Sequence, residues 1–158
     1  MSLLPIKSKT KGAAAPAPED GDDVVDEAIQ TFRANVLFSA FDIQGGADRL
    51  LVYLTLYIQQ CLCRLDSKGK SKAEGSKLMI ELARETFPLP GEPGWPLGGH
   101  FPTPKSRQET DQARNYLKHV REELGTRLVE YVYNADGTPN KYWMAFSKKK
   151  FMNIPTNN

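Results

Sequence analysis

The apolar stretch LLVYLTLYI, residues 50–58, constrains the fold of this chain more than any other feature. It is too short to cross a bilayer as a helix, and a run of this length fits either a buried strand or a buried helix. Cys61, Leu62 and Leu65 continue the helical spacing, which favours a helix over about residues 47–65. Because this helix is apolar on nearly every face, other elements must surround it, and we expect it to be central.

Apolar residues recur at helical spacing in further segments. The first spans residues 23–39 and begins next to aspartates that suit an N-cap. Ser71 and Glu74 have the spacing of a capping box, and we expect the helix that they open to end near Phe87.

A second capping box, Ser106 with Glu109, opens another helix. We expect Gly125 to end that helix and a short helix to follow at about 126–133. NADGTPN at 134–140 has turn composition. The final KYWMAFSKKKF fits a helix or a strand, and we favour a helix.

The stretch FPLPGEPGWPL, residues 87–97, opens a Pro-rich segment that reaches residue 105. Its prolines exclude a helix interior or a central strand. Residues 88–93 are compatible with polyproline II, so a Pro-motif adaptor that displays them is one alternative. Phe87 and Trp95 favour an ordered loop that packs its apolar side chains on the helices, and we expect one domain rather than two.

Length and composition support a single domain. The chain has 158 residues, of which 40% are hydrophobic and 25% charged, as is ordinary for a globular domain. We expect an extended, weakly ordered N-terminal arm at 1–21, one α-helical domain at 22–153 and a C-terminal tail at 154–158. The predicted fold is all-α: an irregular bundle of about five to six helices around the central helix, with the ordered loop at 87–105.

Charge and cysteine content exclude several classes of function. A formal net charge of +2 gives no strong field for nucleic acid. The N-terminus lacks the apolar core of a signal peptide, and two cysteines fit a reducing compartment. We therefore expect a cytoplasmic protein with no membrane span.

Cys61, Cys63, His100 and His119 are the residues with the clearest potential for metal binding or thiol chemistry. A four-ligand zinc site would need both histidines to converge on the cysteine pair from distant segments, so buried helix cysteines are the preferred interpretation. A small helical enzyme that pairs a thiol with His119 is a second alternative. We predict no catalytic, cofactor-binding or metal-binding residue, and no cofactor.

Apolar and basic surface residues suggest contacts with other proteins. Aromatic groups dominate interface hot spots, and clustered lysines steer association with acidic surfaces. The predicted partner-binding residues are Leu3, Leu4 and Ile6 of the arm, Trp95 and Tyr142, and the basic cluster Lys148, Lys149 and Lys150.

Five blocks, in order, resemble one family and cover nearly the whole chain. They are LLPIKS at 3–8, DDVVDEAIQTFRANVLF at 22–38, ADRLLVYLTLYIQQCL at 47–62, FPLPGEPGWPL at 87–97 and KYWMAFSKKKFMN at 141–153. On these blocks the chain resembles subunit 3 of the actin-related protein 2/3 complex. The FP-x-PGEPG-aromatic-PL block and the aromatic–basic–FMN ending are the most specific.

The resemblance implies a small, non-catalytic, all-α structural subunit of a seven-subunit complex. That complex nucleates a daughter actin filament on the side of an existing one. In the family the subunit packs on actin-related protein 3 and approaches the mother filament and the second actin-related subunit, and it binds no nucleotide. The chain starts later than many relatives, which leaves contacts of the extreme N-terminus open.

Overall fold

A computed structural model describes residues 3–8, 12–18, 20–36 and 45–148. Within these ranges the chain forms five α-helices and no β-strand, which confirms the all-α prediction. The α-helices are α1 (Val24–Asn35), α2 (Gly46–Lys68), α3 (Lys72–Arg84), α4 (Arg107–Val132) and α5 (Lys141–Met144), and a 3₁₀ turn lies at Gly98–His100.

Helix α2 is central, as predicted. Leu50, Leu54, Ile58 and Leu62 along it have no exposed surface, and it packs against each of the other four helices. Because its apolar residues point in every direction, it is most stable when neighbours cover all of its faces. The buried Thr55 satisfies its hydroxyl within the helix by donating to the Leu51 carbonyl.

The serine caps form as their spacing indicates. The side chains of Ser71 and Ser106 accept hydrogen bonds from the backbone N–H groups of Glu74 and Glu109. In turn, the carboxylates of Glu74 and Glu109 accept hydrogen bonds from the backbone N–H groups of Lys70 and Lys105, each one residue before the cap. Both helices therefore start where two orphan N–H groups find acceptors.

The prediction that Gly125 ends its helix was wrong. Helix α4 continues without a break to Val132, so the separate helix predicted at 126–133 is its last part. Gly125 is buried where α4 meets α3, and a Cβ atom there would lie 2.9 Å from the Met79 Cβ. The glycine permits a close helix approach and is not a stop signal.

The other boundaries differ modestly from those predicted. Helix α3 ends at Arg84, because Glu85 turns to an extended conformation with ψ of 150°. The end predicted for the first helix extends into residues 37–44, which are outside the described residues. Residues 134–140 form the expected turn, and the favoured final helix exists but is only four residues long.

The N-terminal segment lies against α1 and α4. Ile6 is 1% exposed and belongs to the hydrophobic core. The Ile6 amide donates to the Ala15 carbonyl, and the Ala17 amide donates to the Ile6 carbonyl, so residues 15–17 lie alongside Ile6. The division into an arm, a helical domain and a tail stays a prediction.

The Pro/Gly-rich loop is ordered by packing. Leu89, Leu97 and Phe101 are buried in the core. Arg114 of α4 donates to the Phe87 carbonyl over 2.9 Å and to the Glu92 carboxylate. These contacts satisfy polar groups in a segment whose prolines cannot form ladder hydrogen bonds.

Candidate functional site

One corner of the molecule combines exposed aromatic side chains with cations. We call it the aromatic corner and define it by Arg33, Tyr131, Lys141, Tyr142 and Trp143. Tyr142 is 77% exposed and Tyr131 is 46% exposed. The Arg33 guanidinium lies 5.4 Å from the centroid of the Trp143 ring, and the Tyr131 ring lies 6.2 Å from it. Such a surface offers large apolar groups at low entropic cost, as protein interfaces do.

Within the aromatic corner, Trp143 is buried and attaches the corner to the core. It is 8% exposed, and its ring stacks on Phe32 of α1 with 6.0 Å between centroids. The Asn140 side chain caps α5 by accepting a hydrogen bond from the Tyr142 amide over 2.9 Å. These two interactions fix the direction of α5 and leave Tyr142 outside.

A set of hydrogen bonds from α2, which we call the C-terminal latch, fixes the chain after α5. The Gln59 side-chain N–H groups donate to the carbonyls of Phe146 and Ser147, each over 2.7 Å. The Cys63 thiol donates to the Ser147 carbonyl, and the Ser147 hydroxyl donates to Asp66. Lys148, which follows the latch, is exposed, whereas Lys149 and Lys150 are outside the described residues.

The predicted partner-binding residues of the arm differ in their surroundings. Leu3 and Leu4 are half-buried against the core, while Ile6 is inside it. The Leu4 carbonyl accepts a hydrogen bond from the Tyr116 hydroxyl over 2.7 Å. In this conformation Leu3 and Leu4 retain some surface for a partner, and Ile6 has almost none.

Trp95 lies within the packed loop. Its ring stacks on Tyr53 of α2, with 5.7 Å between centroids, and meets Phe101 edge-on at 5.2 Å. It is half-buried, so only part of the ring faces solvent. Leu89 and Pro90, in the middle of the polyproline-compatible stretch, are buried, which does not favour display of residues 88–93 to a recognition domain.

The thiols and His119 do not form a catalytic pair. Burial raises the pKa of the Cys61 thiol to about 12, the opposite of the shift that activates a nucleophile. The Cys63 thiol is committed to the C-terminal latch. Both ring nitrogens of His119 face the N-terminal segment, towards Ala14 and Ser8.

Two kinds of feature are absent from the described residues. They contain no group of three or more His, Cys, Asp or Glu side chains arranged to hold a metal ion. None of their helices is long and apolar enough to span a membrane.

Sequence reasoning missed Arg33 and Tyr131 as parts of the aromatic corner. Tyr131 lies outside the apolar stripe of α4. A large aromatic residue on the polar face of a helix is unusual, and this position could have indicated a surface contact from the sequence alone. Arg33 carried no such signal. Only the packing of α1 on α5 brings its guanidinium over Trp143.

These observations define the class of protein. It is a small helical protein in which the two thiols and His119 serve packing, and its exposed aromatic groups are suited to contacts with other proteins. Its sequence matches the model of the P21-Arc family, described as the ARP2/3 complex ARPC3 (21 kDa) subunit, over residues 1–155. The chain belongs to this family.

Relatives named actin-related protein 2/3 complex subunit 3 are similar over almost the whole chain. The protein of Arabidopsis thaliana is 52% identical over 152 residues, which are 96% of this chain and 87% of the relative. The Dictyostelium discoideum protein is 43% identical over 96% of this chain and 86% of its own length. The protein of Schizosaccharomyces pombe is 42% identical over 97% of this chain and 87% of the relative.

Proposed function

We propose that this chain is a non-catalytic structural subunit of an actin-related protein 2/3 complex, working in the cytoplasmic actin cytoskeleton. In that role it packs on actin-related protein 3, helps to hold the subunits in the geometry that nucleates branched filaments, and presents a surface towards the mother filament. The observation that carries the proposal is the family match over nearly the full length of the chain.

The physical form of the molecule supports a geometric role. Ordered loops and a buried central helix make a rigid block, and rigid partners lose less conformational entropy when they assemble. The aromatic corner supplies candidate anchors, and the exposed Lys148, with Lys149 and Lys150, supplies positive charge that steers an acidic protein surface towards it.

A native pull-down tests the proposal. The tagged full-length chain is recovered from extract of its own cells, the co-purifying proteins are identified, and the eluate is assayed for actin assembly with an activator. We expect two actin-related proteins, several small subunits and branched filaments. Recovery of the chain alone would contradict the proposal.

A variant pair then tests the aromatic corner. Tyr142→Ser removes the most exposed aromatic side chain of the described residues without touching the core. Ile80→Ser removes the exposed apolar side chain of Ile80 on α3 in the same way. We expect Tyr142→Ser to weaken recovery of partners or branching by about tenfold, the effect of a hot-spot residue, and Ile80→Ser to change it little. Equal effects of the two variants would assign no special role to the corner.

A further inference from the structure

The chain contains two Thr-Pro pairs, Thr103-Pro104 and Thr138-Pro139, and no Ser-Pro pair. A proline has no N–H group and holds the residue before it in an extended conformation. Proline-directed protein kinases accept a serine or threonine hydroxyl in this setting. Both threonines meet that requirement in sequence, and the structure separates them.

Thr103 lies on a stretch of backbone that makes no hydrogen bonds of its own. The residue is exposed, and residues 102–105 form neither helix nor strand. Among the described residues, no group hydrogen-bonds the Thr103 hydroxyl, N–H or carbonyl. The side chain lies against Gly91, where an added Cβ atom would be 2.5 Å from the Thr103 Cγ2 and 3.0 Å from Oγ1. The glycine therefore positions the threonine while the hydroxyl keeps no competing partner.

Thr138 is held in the turn before α5. Its hydroxyl donates to the Asp136 carboxylate over 2.6 Å and accepts from the Asn134 side-chain N–H over 3.1 Å. The Thr138 N–H also donates to Asp136, and the Thr138 carbonyl accepts from the Asn134 amide over 2.8 Å. A phosphoryl group on this hydroxyl would replace these bonds and lie beside a carboxylate, so charge repulsion opposes it.

A cleft of about 280 Å³ borders Thr103 and has room for a phosphoryl group. Lys105, Gln112 and Glu109 are among its polar wall residues. The Lys105 ammonium forms no ion pair with the described residues, and Glu109 accepts a hydrogen bond from the Lys105 amide. Arg107 and the N-terminus of α4 add positive potential on the same side. Cations therefore outnumber the single negative charge of Glu109 around the Thr103 side chain.

We propose that Thr103 is a phosphorylation site for a proline-directed kinase, and that its phosphate is held beside Lys105 at the start of α4. In the reaction, the Thr103 Oγ1 attacks the γ-phosphorus of ATP, the bond from that phosphorus to the β–γ bridging oxygen breaks, and ADP leaves. The hydroxyl proton passes to the catalytic base of the kinase. The product carries a charge of about −2 at pH 7 in the cleft that Leu3 also lines. This inference does not rest on the proposed function.

Phosphorylation of the folded full-length chain tests the site. The chain is incubated with ATP and a mitogen-activated, proline-directed kinase, and the modified residues are mapped by mass spectrometry. A peptide of residues 99–109 is the positive control for the kinase. We expect Thr103 to be modified at least about tenfold faster than Thr138, because the turn bonds of Thr138 must break first.

Two variants assign the incorporated phosphate. Thr103→Val removes the proposed acceptor and should abolish most of the incorporation. Thr138→Val removes the other Thr-Pro acceptor and should leave it unchanged. Equal rates at the two threonines, or modification of the peptide without modification of Thr103 in the folded chain, would overturn the proposal.

Phosphorus NMR of the modified chain tests where the phosphate lies. The second pKa of a phosphothreonine is ordinarily about 6. Nearby cations favour the dianion, so we expect this pKa to be lower by about half a unit. Lys105→Gln should remove most of that shift, and Lys118→Gln, exposed farther along α4, should leave it unchanged. An unshifted pKa, or the same pKa in Lys105→Gln, would overturn the placement beside Lys105.

Discussion

At the scale of single residues, Arg127 connects three parts of the chain. Its guanidinium bonds Asp23 and Asp26 of α1, the neighbouring Glu123 and the Lys7 carbonyl. Burial raises the pKa of the Asp23 carboxyl, whose side chain is 2% exposed. The hydrogen bonds from Arg127 and from two backbone amides outweigh burial and hold this pKa below its ordinary value.

Replacing Arg127 by Met should expose the cost of that buried carboxylate. Because Asp23 would remain buried without its cation, we expect the free energy of unfolding at pH 7 to fall by about 3 kcal/mol. In the original protein the stabilisation from Asp23 is present above its unfolded pKa and is lost as the pH falls through the lowered folded value. The difference between the two proteins should therefore shrink only as the pH falls below about 4, as urea unfolding at several pH values down to about 3 would measure. Arg107→Met, in the exposed first turn of α4, is the control, and an equal loss there would refute this account.

Gly125→Ala separates the two interpretations of this glycine. In an unconstrained helix the change stabilises by about 1 kcal/mol. Here the new Cβ meets the Met79 Cβ at 2.9 Å, and an atom so close to the α3 backbone cannot swing away. We expect a net destabilisation of about 1–3 kcal/mol in thermal or urea unfolding. Thr126→Ala, on the exposed side of the same turn, should be neutral or stabilising, and stabilisation by both variants would show that α3 and α4 separate freely.

At the scale of elements, local signals set helix starts and tertiary contacts set the irregular parts. The serine caps lie at the predicted positions because each needs only an N–H group three residues away. The loop at 87–105 depends on groups far along the chain: Arg114 for its polar atoms and Tyr53 for Trp95.

Arg114→Ala should loosen this loop without unfolding the protein. The variant loses the bonds to the Phe87 carbonyl and Glu92, so we expect thermolysin to cleave before the buried Leu97 about tenfold faster. Arg107→Ala is the matched control on the same helix. Rapid cleavage of the unaltered protein at this site would instead favour an adaptor that displays residues 88–93.

At the scale of the whole molecule, both ends of the described chain are fastened to helices far away in sequence. The N-terminal segment is held by α1 and α4, and the segment after α5 is held by α2 through the C-terminal latch. These contacts place the aromatic corner and the residues that follow it in a fixed relation to the core.

Gln59→Met tests how far the latch governs that corner. The variant keeps the volume of a fully buried side chain but removes the donor to the Phe146 carbonyl and leaves the Ser147 carbonyl with only the weak Cys63 thiol donor. We therefore expect a loss of about 2 kcal/mol and faster exchange at residues 143–148. The half-buried neighbour Gln60→Met should cost less than about 0.5 kcal/mol. Unchanged exchange at 143–148 in Gln59→Met would mean that the stacking of Trp143 holds the corner by itself.

The sequence by itself determined the all-α class, the central position of α2, the starts of α3 and α4, and the family, because these depend on periodicity, on caps a few residues long and on contiguous motifs. Only the tertiary structure decided that α4 runs through Gly125, that Ile6 enters the core and that Arg33 joins the aromatic corner. Each of these depends on a contact between residues distant in the chain. Local propensity carries no information on such contacts. A glycine ends a helix in one protein environment and allows two helices to pack closely in another.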